Sequence, residues 1–286
     1  MLGYFKYIIK KNFYPFLLRD KFSATTQIAQ IQLKQQYLEA KKKGMLPNFN
    51  DTGFKVFSQF EEDGKLLYLF SILGTENKTF VDIGSNDGIN SNCANLAINF
   101  GWHGLFIDAD KKAIAIGKDF YKKIPNKWSL KPIFKTAFIT PENINSLISG
   151  EGFEGSIDLL SIDIDSNDYW VWKAIECVNP KVVVIESQLA FGKENLIVPY
   201  TNKVNNALEN DNYYGASTFA LNKLAESKNY LLVGSNNYGN NLFFVKNGFE
   251  ENNLPKIDIE TTLNHTYAKK QMSSFEKIKN HKYIQE

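Results

Sequence analysis

The chain of 286 residues is 43% hydrophobic, 14% aromatic and 22% charged, which supports a substantial packed core and excludes disorder throughout. Its formal net charge of +2 is too balanced for a nucleic-acid binder that relies on a broad basic face. The length accommodates one α/β domain with decorated ends, and leaves small molecules or proteins as partners.

Met1 to Leu18 is apolar and basic, but Lys6, Lys10, Lys11 and then Arg19 interrupt it. No run approaches the roughly 18 to 20 apolar residues of a membrane span, so a short helix packed on its own domain is expected, in a cytoplasmic protein. From Ser23 to Lys43, Ile28, Ile31, Leu33 and Leu38 recur at helical spacing, with Gly44 and Pro47 ending the pattern. A second helix is predicted over Glu62 to Leu73, stopped by Gly74.

Short apolar runs then alternate with helical patterns, the mark of βαβ units around a parallel sheet. Strands are predicted at Thr79 to Ile83, Gly104 to Ile107, Leu130 to Phe138, Ile157 to Ile162, Val182 to Ile185, Tyr230 to Val233 and Leu242 to Val245. Helices are predicted at Ser91 to Asn99, Lys111 to Tyr121, Pro141 to Ser149, Tyr169 to Cys177 and Ser217 to Lys228. Gly234 to Asn241 is too short for a parallel crossover, so the seventh strand must run antiparallel to the sixth. The expected fold is therefore α/β, a Rossmann-like doubly wound sheet of seven strands with an antiparallel last strand. Residues 1–55 form a helical extension, 56–250 the main domain and 251–286 a partly helical extension. The long stretch from Gln188 to Tyr214 is expected to be functional. The tail beyond Phe249, with Lys269, Lys270, Lys277, Lys279 and Lys282, is expected to be a solvated face. Cys93 and Cys177 stand outside any CxxC pair and are expected to be free thiols.

The strongest chemical signal is Val81-Asp82-Ile83-Gly84-Ser85-Asn86-Asp87-Gly88, between a strand and a helix. Gly84 and Gly88 permit a tight turn and close approach of backbone to a ligand. About twenty residues later the next strand delivers Asp108, placed to accept both hydroxyls of a ribose. An acid at Asp87 would repel the pyrophosphate of NAD, whereas a cationic sulfonium ligand suits Asp82 and Asp87, so S-adenosylmethionine is favoured over NAD.

Asp163 and Asp165 end the fourth strand, and Val182 to Ile185 delivers Glu186 to the same edge. Three carboxylates converging on one crevice are costly unless they hold a cation or share protons, which points to a divalent ion such as Mg²⁺ or Mn²⁺. Such an ion would lower the pKa of a hydroxyl and orient its oxygen; a carboxylate or histidine could instead serve as general base, with His265 the candidate histidine. His103 reads as a core residue and His281 as an exposed one. Asp168 could equally cap the following helix, and Trp170 and Trp172 read as packing residues.

Several segments in order resemble the FkbM-like branch of class I methyltransferases, especially enzymes that O-methylate sugars of bacterial capsules and surface polysaccharides. They are Ser58-Gln59-Phe60-Glu61-Glu62-Asp63-Gly64, the Asp82 to Gly88 loop with Asn86 in place of the usual middle glycine, Gly101 to Asp108, Ser161 to Asp168, Val184-Ile185-Glu186, Tyr213 to Ser217 and Asn241 to Val245. The resemblance implies cofactor contacts from Asp82, Gly84, Asn86 and Asp108, with Gln59 and Asp63 covering the ligand; Asp87, Gly88 and Ala137 complete the expected cofactor set. It implies binding of a sugar or nucleotide-sugar acceptor around Asp163, Asp165 and Glu186. The chain departs from the common pattern at Ser161, where a lysine is frequent, and at Asp165-Ser166, where Glu-Gly is usual. Two other functions stay open: a metal-dependent glycosyltransferase using the Asp163/Asp165 pair, and a methyltransferase-like scaffold without catalysis. Self-association is left open by the sequence.

Overall fold

A computed structural model describes residues 13–124, 130–201, 212–249, 253–255 and 257–285. Lys6, Lys10 and Lys11, and part of the Gln188 to Tyr214 stretch and of the tail, lie outside the described residues. Residues 13–17 are helical, with Tyr14 and Leu18 packed on the core and Phe13, Phe16 and Leu17 exposed. No helix among the described residues is long and apolar enough to cross a membrane.

Helix α1 (Ala24–Lys43) starts where the Ser23 side chain accepts the Thr26 N–H and ends at Gly44, whose φ of 65° allows a left-handed cap. Its spacing identifies the helix but not its covered side. Ile28 and Ile31 are exposed, and the buried positions are Gln30 and Tyr37. Gln30 accepts from Asn95 at 2.7 Å, Tyr37 packs edge-on against Tyr68 and Leu33 packs on the core, so a polar contact and an aromatic one join only part of the expected aliphatic stripe. Helix α2 (Glu62–Leu73) is buried along its whole length.

Seven strands form one sheet in the order β3-β2-β1-β4-β5-β7-β6, with β1 (Thr79–Ile83), β2 (His103–Asp108), β3 (Ile133–Thr136), β4 (Gly155–Ile162) and β5 (Val178–Glu186) parallel. β7 (Asn241–Lys246) runs antiparallel to both β5 and β6 (Tyr230–Ser235), as the short connection requires. Helices α3 (Ala94–Phe100), α4 (Lys111–Lys123), α5 (Ile144–Ser149), α6 (Asp168–Ala174) and α7 (Thr218–Ser227) connect the strands. Two apolar clusters, one holding Phe80 and Phe243 and the other Val81 and Phe244, follow the alternation of strand residues between the two faces. Tyr37, Phe49 and Leu254 join the first cluster, so both flanking segments pack on the sheet.

Several boundaries shift for local reasons. β3 is shorter than the predicted Leu130 to Phe138 because it pairs only with β2 and is preceded by Pro132, which lacks an N–H. β5 begins earlier than predicted despite Pro180, since it meets β7 only from Val182 onward and Pro180 needs a partner on one side alone. α6 stops at Ala174 because Asn145 accepts the N–H groups of Glu176 and Cys177 and draws the chain out of the helix. Both cysteines are free.

At the edge of the sheet away from the strands' carboxyl ends, Asp158 is fully buried and accepts from the N–H groups of Glu76, Asn77 and Lys78, with Lys181 at 3.7 Å. This carboxylate holds the turn that feeds β1. Asp158→Ala leaves three donors and a buried ammonium without it, and is expected to lower unfolding free energy by about 3 kcal/mol in denaturant titration. A loss under about 1 kcal/mol would contradict that role.

Candidate active site

The loop after β1 is shaped by two requirements. Gly84 has φ +81° and its N–H donates to Ile107 O, while a Cβ there would lie 1.7 Å from the carbonyl oxygen of Asp163. Asn86 also sits in the left-handed region (φ 52°), which asparagine tolerates better than most side chains. Asp108 joins two loops: Oδ2 accepts the Asn86 N–H and Oδ1 the Asp110 N–H, both at 2.7 Å. Ala137 donates its N–H to Asp108 O. Gly88 packs under Phe134 and Phe106, which a Cβ would meet at 2.9 and 3.1 Å.

Asp87 is placed differently from the expectation of a ligand-facing acid. It is buried, and Oδ1 accepts the N–H groups of Ile89 and Asn90 within its own turn. Asp82 is the acid that lines the cleft, together with Gln59, Gly84, Ser91, Ser161 and Asp163. It accepts from the Ser91 hydroxyl, and burial pushes its carboxyl up to about 6 against the help of Ser91 and Ser161. Ser161 thus gives Asp82 a hydroxyl at the position where a lysine would have given a charge.

Gln59 is exposed at the mouth of this cleft, whereas Asp63 lies below it. One oxygen of Asp63 accepts from Val56, Phe57 and Ser58 N–H groups at 2.7, 2.5 and 2.9 Å, so it shapes the covering loop from beneath. Burial raises it to about 6 even so. Its neighbours do related work: Glu62 accepts from Phe60 N–H and from the amides of Asn236 and Asn241, and Glu61 accepts from Asn237 N–H. The Ser58 to Gly64 segment is thereby clamped to the β6–β7 turn.

Asp163, Asp165 and Glu186 come together as one group, each offering an oxygen within 4.8 Å of the others. Burial raises Asp163 well above the usual carboxylate range, with Asp168 and Asp165 adding repulsion. Burial does the same to Glu186, reinforced first by Asp163. Asp165, with φ 56°, is raised by burial and by Asp108. Asp168 opens α6 and does more than start it: its two oxygens accept the N–H groups of Ile164 and Ser166, folding the loop that presents Asp163 and Asp165.

Glu186 also lines a second cleft, with Gln188, Tyr214, Asn240, Tyr267 and Gln271. The carboxylate group therefore lies between two clefts, Asp163 on one side and Glu186 on the other.

His265 stands apart from this group. It caps helix α8 (Thr266–Met272), its Nδ1 accepting the Tyr267 N–H at 3.1 Å, and lines neither cleft. His103 pairs with Lys131 O and stacks on Phe153; His281 stacks on Tyr213. Trp172 is buried against Phe244, and Trp170 donates to Val198 O. The tail is more than a solvated face. Its lysines 269, 270, 277, 279 and 282 are exposed, but Ala268 and Ile278 are buried, Ile284 pairs with Ile197, and Tyr267 and Gln271 wall the second cleft. Sequence reasoning marked Tyr214 only within the Tyr213 to Ser217 resemblance and Gln188 only as the start of the long stretch after β5, and it did not single out Tyr267 or Gln271.

No family model matches the sequence, and no curated protein matches it. Among solved structures, the chain is similar to an O-methyltransferase from Bacillus cereus in complex with SAH, at 15% identity over 79% of this chain and 99% of that one (TM-score 0.42). It is similar to the O-methyltransferase TomG from Streptomyces achromogenes, involved in tomaymycin synthesis and solved with SAM, at 14% identity over 74% and 89% (TM-score 0.40). A third is an O-methyltransferase family protein from Burkholderia thailandensis, at 13% identity over 64% of this chain and 57% of that one (TM-score 0.37). The chain thus spans little more than half the length of that last protein. Likeness at these levels carries nothing about activity.

Proposed function

We propose that the protein is an S-adenosylmethionine-dependent O-methyltransferase that acts on a hydroxyl of a sugar or nucleotide-activated sugar, with assistance from a divalent ion. The observation that supports it is the charge of the first cleft. Asp82 and Asp163 line it beside the Gly84 turn, and among the described residues around it none is Lys, Arg or His. A diphosphate would be repelled there, whereas a cation favours the ionised form of a carboxylate that burial disfavours.

S-adenosylmethionine would supply an electrophilic methyl group at this position. The chain's part is to bind and orient. Each oxygen of Asp108 accepts one backbone N–H, and a carboxylate has about four acceptor sites, so one remains on each for a ribose hydroxyl. Asp163 and Glu186, both pushed upward and mutually repelling, are disposed to take a proton from an acceptor hydroxyl in the second cleft. A divalent ion held by Asp163, Asp165 and Glu186 would act as a Lewis acid on that hydroxyl. Each of the three offers an oxygen within 4.8 Å of the others, so one small ion could be shared among them. The surface-polysaccharide setting rests on the sequence resemblance, and the amide-rich second cleft supports a hydroxylated acceptor.

Asp108→Ala tests the cofactor assignment. It is expected to weaken S-adenosylhomocysteine binding, read by calorimetry, by about 1 to 3 kcal/mol from two lost charge-assisted hydrogen bonds. Unaltered affinity would remove the ribose role.

A further inference from the structure

The helical turn at residues 13–17 is apolar on two sides. Tyr14 and Leu18, four apart, pack on the core. Phe13, Phe16 and Leu17, at positions i, i+3 and i+4, share the outward side and are 53 to 65% exposed. A helix apolar all round normally has both sides covered, and here the chain covers only the inner one. Helix α1 repeats the pattern, with Ile28 and Ile31, three apart, both more than half exposed. Among the described residues, five of the nine exposed large apolar side chains fall between Phe13 and Ile31, so the exposure is concentrated rather than scattered.

The charge of the same segment selects what covers it. Residues 1–43 hold nine Lys and Arg against Asp20 and Glu39, a net +7 on a chain whose total is +2, so the rest of the chain is net negative. The positive charge lies beside the apolar side chains. The Arg19 guanidinium sits over the Phe16 ring at 5.1 Å, and its contact to Asp20, 3.8 Å between two exposed side chains, is weak. Lys42 and Lys43 are exposed at the far end of α1, whose 20 residues span about 30 Å. Lys6, Lys10 and Lys11 precede Phe13 in the sequence. Exposed apolar side chains on two successive helices, with cations spread from one end of the segment to the other, suit a broad fluid surface better than a shaped pocket. Rings and aliphatic side chains at the acyl boundary, with Lys and Arg on anionic headgroups, are how such a segment lies in a bilayer interface.

We propose that the N-terminal segment, through Phe13 to Lys43, docks the protein on a bilayer surface that contains anionic lipid, Phe13, Phe16 and Leu17 entering the interface and Arg19 meeting the headgroups. The segment lies on the bilayer without crossing it, since no helix among the described residues is long and apolar enough to span one. The proposal does not rest on the methyl-transfer reading, because none of these residues lines either cleft.

The test is co-sedimentation of the full chain with vesicles of phosphatidylcholine and phosphatidylglycerol in equal amounts, and in parallel with pure phosphatidylcholine vesicles. The chain is expected to bind the anionic vesicles at least about tenfold more tightly than the neutral ones, and to be released as sodium chloride is raised to about 0.5 M. Phe16→Gln combined with Leu17→Gln is expected to weaken binding at least about tenfold and to leave the thermal unfolding midpoint unchanged, both side chains being in solvent already. Arg19→Glu, a second variant that keeps the apolar side chains, is expected to weaken binding to the anionic vesicles several-fold. Equal binding to both kinds of vesicle, binding to neither, or native-like binding by the variants overturns the proposal. Dimerisation in sedimentation velocity that the double variant abolishes, without vesicle binding, assigns the same face to a second copy of the chain and overturns it as well.

Discussion

Replacing Asp163 by asparagine is expected to lower the methylation rate by about 10²- to 10⁴-fold, the range lost when a positioned proton acceptor is removed. Asp163 stands where the two clefts meet, within reach of Asp165 and Glu186, and its N–H is tied to Ile83 O, so the backbone that carries it is fixed by the sheet. Asparagine keeps the shape but neither takes up a proton nor neutralises a divalent ion. With no ion on the group, the acid limb of the native pH–rate profile should lie above the ordinary carboxylate range, because burial and mutual repulsion raise both Asp163 and Glu186 and the ionised form is lost as pH falls through those values; a divalent ion held there would favour the ionised forms and bring the limb down. Asp163→Asn should displace that limb. EDTA separates the two ways the group can act. Loss of native activity with EDTA, restored by Mg²⁺ or Mn²⁺, assigns the carboxylates to a metal, and an unchanged rate assigns them to proton transfer. A variant of near-native rate would show that the group takes no part in the reaction.

Gly84→Ala is expected to destabilise the fold by more than about 4 kcal/mol, because two separate penalties coincide. Its φ of +81° is unfavourable for alanine, and the new Cβ would lie 1.7 Å from a backbone oxygen that cannot swing away. Gly152 isolates the first penalty: its φ is +85° and a Cβ there meets nothing within 4 Å. Gly152→Ala should therefore cost only about 1 to 2 kcal/mol. Equal losses for the two substitutions in denaturant titration would mean that close packing of the loop on Asp163 does not matter.

The sheet was legible because its strands repeat a simple physical pattern, and β1 is found over the residues that the apolar run Thr79 to Ile83 marked. Its errors lie where a partner elsewhere in the fold decides. The apolar run marks the fifth strand only from Val182, where β7 arrives, although β5 already pairs with β4 at Pro180, and Ile28 and Ile31 belong to the expected helical pattern but are exposed while Gln30 is covered by Asn95. The carboxylates Asp163, Asp165 and Glu186 could be brought together on paper since strand ends share one edge. Residue type alone misplaces Asp87, Asp63 and His265, whose side chains accept backbone N–H groups, a use that depends on loop conformation. The second cleft was beyond reach for another reason. Glu186 and Gln188 meet Tyr267 and Gln271 across a long sequence separation, and nothing local foretells that α8 returns to the sheet edge.

The most direct measurement is calorimetric titration of the native chain with S-adenosylmethionine, S-adenosylhomocysteine, NAD and UDP in parallel. A crevice lined by Asp82 and Asp163 and closed by Gly84 should bind the first two at one equivalent and give no heat with the others. Heat from NAD or UDP, with neither adenosyl compound binding, would contradict the account at its base.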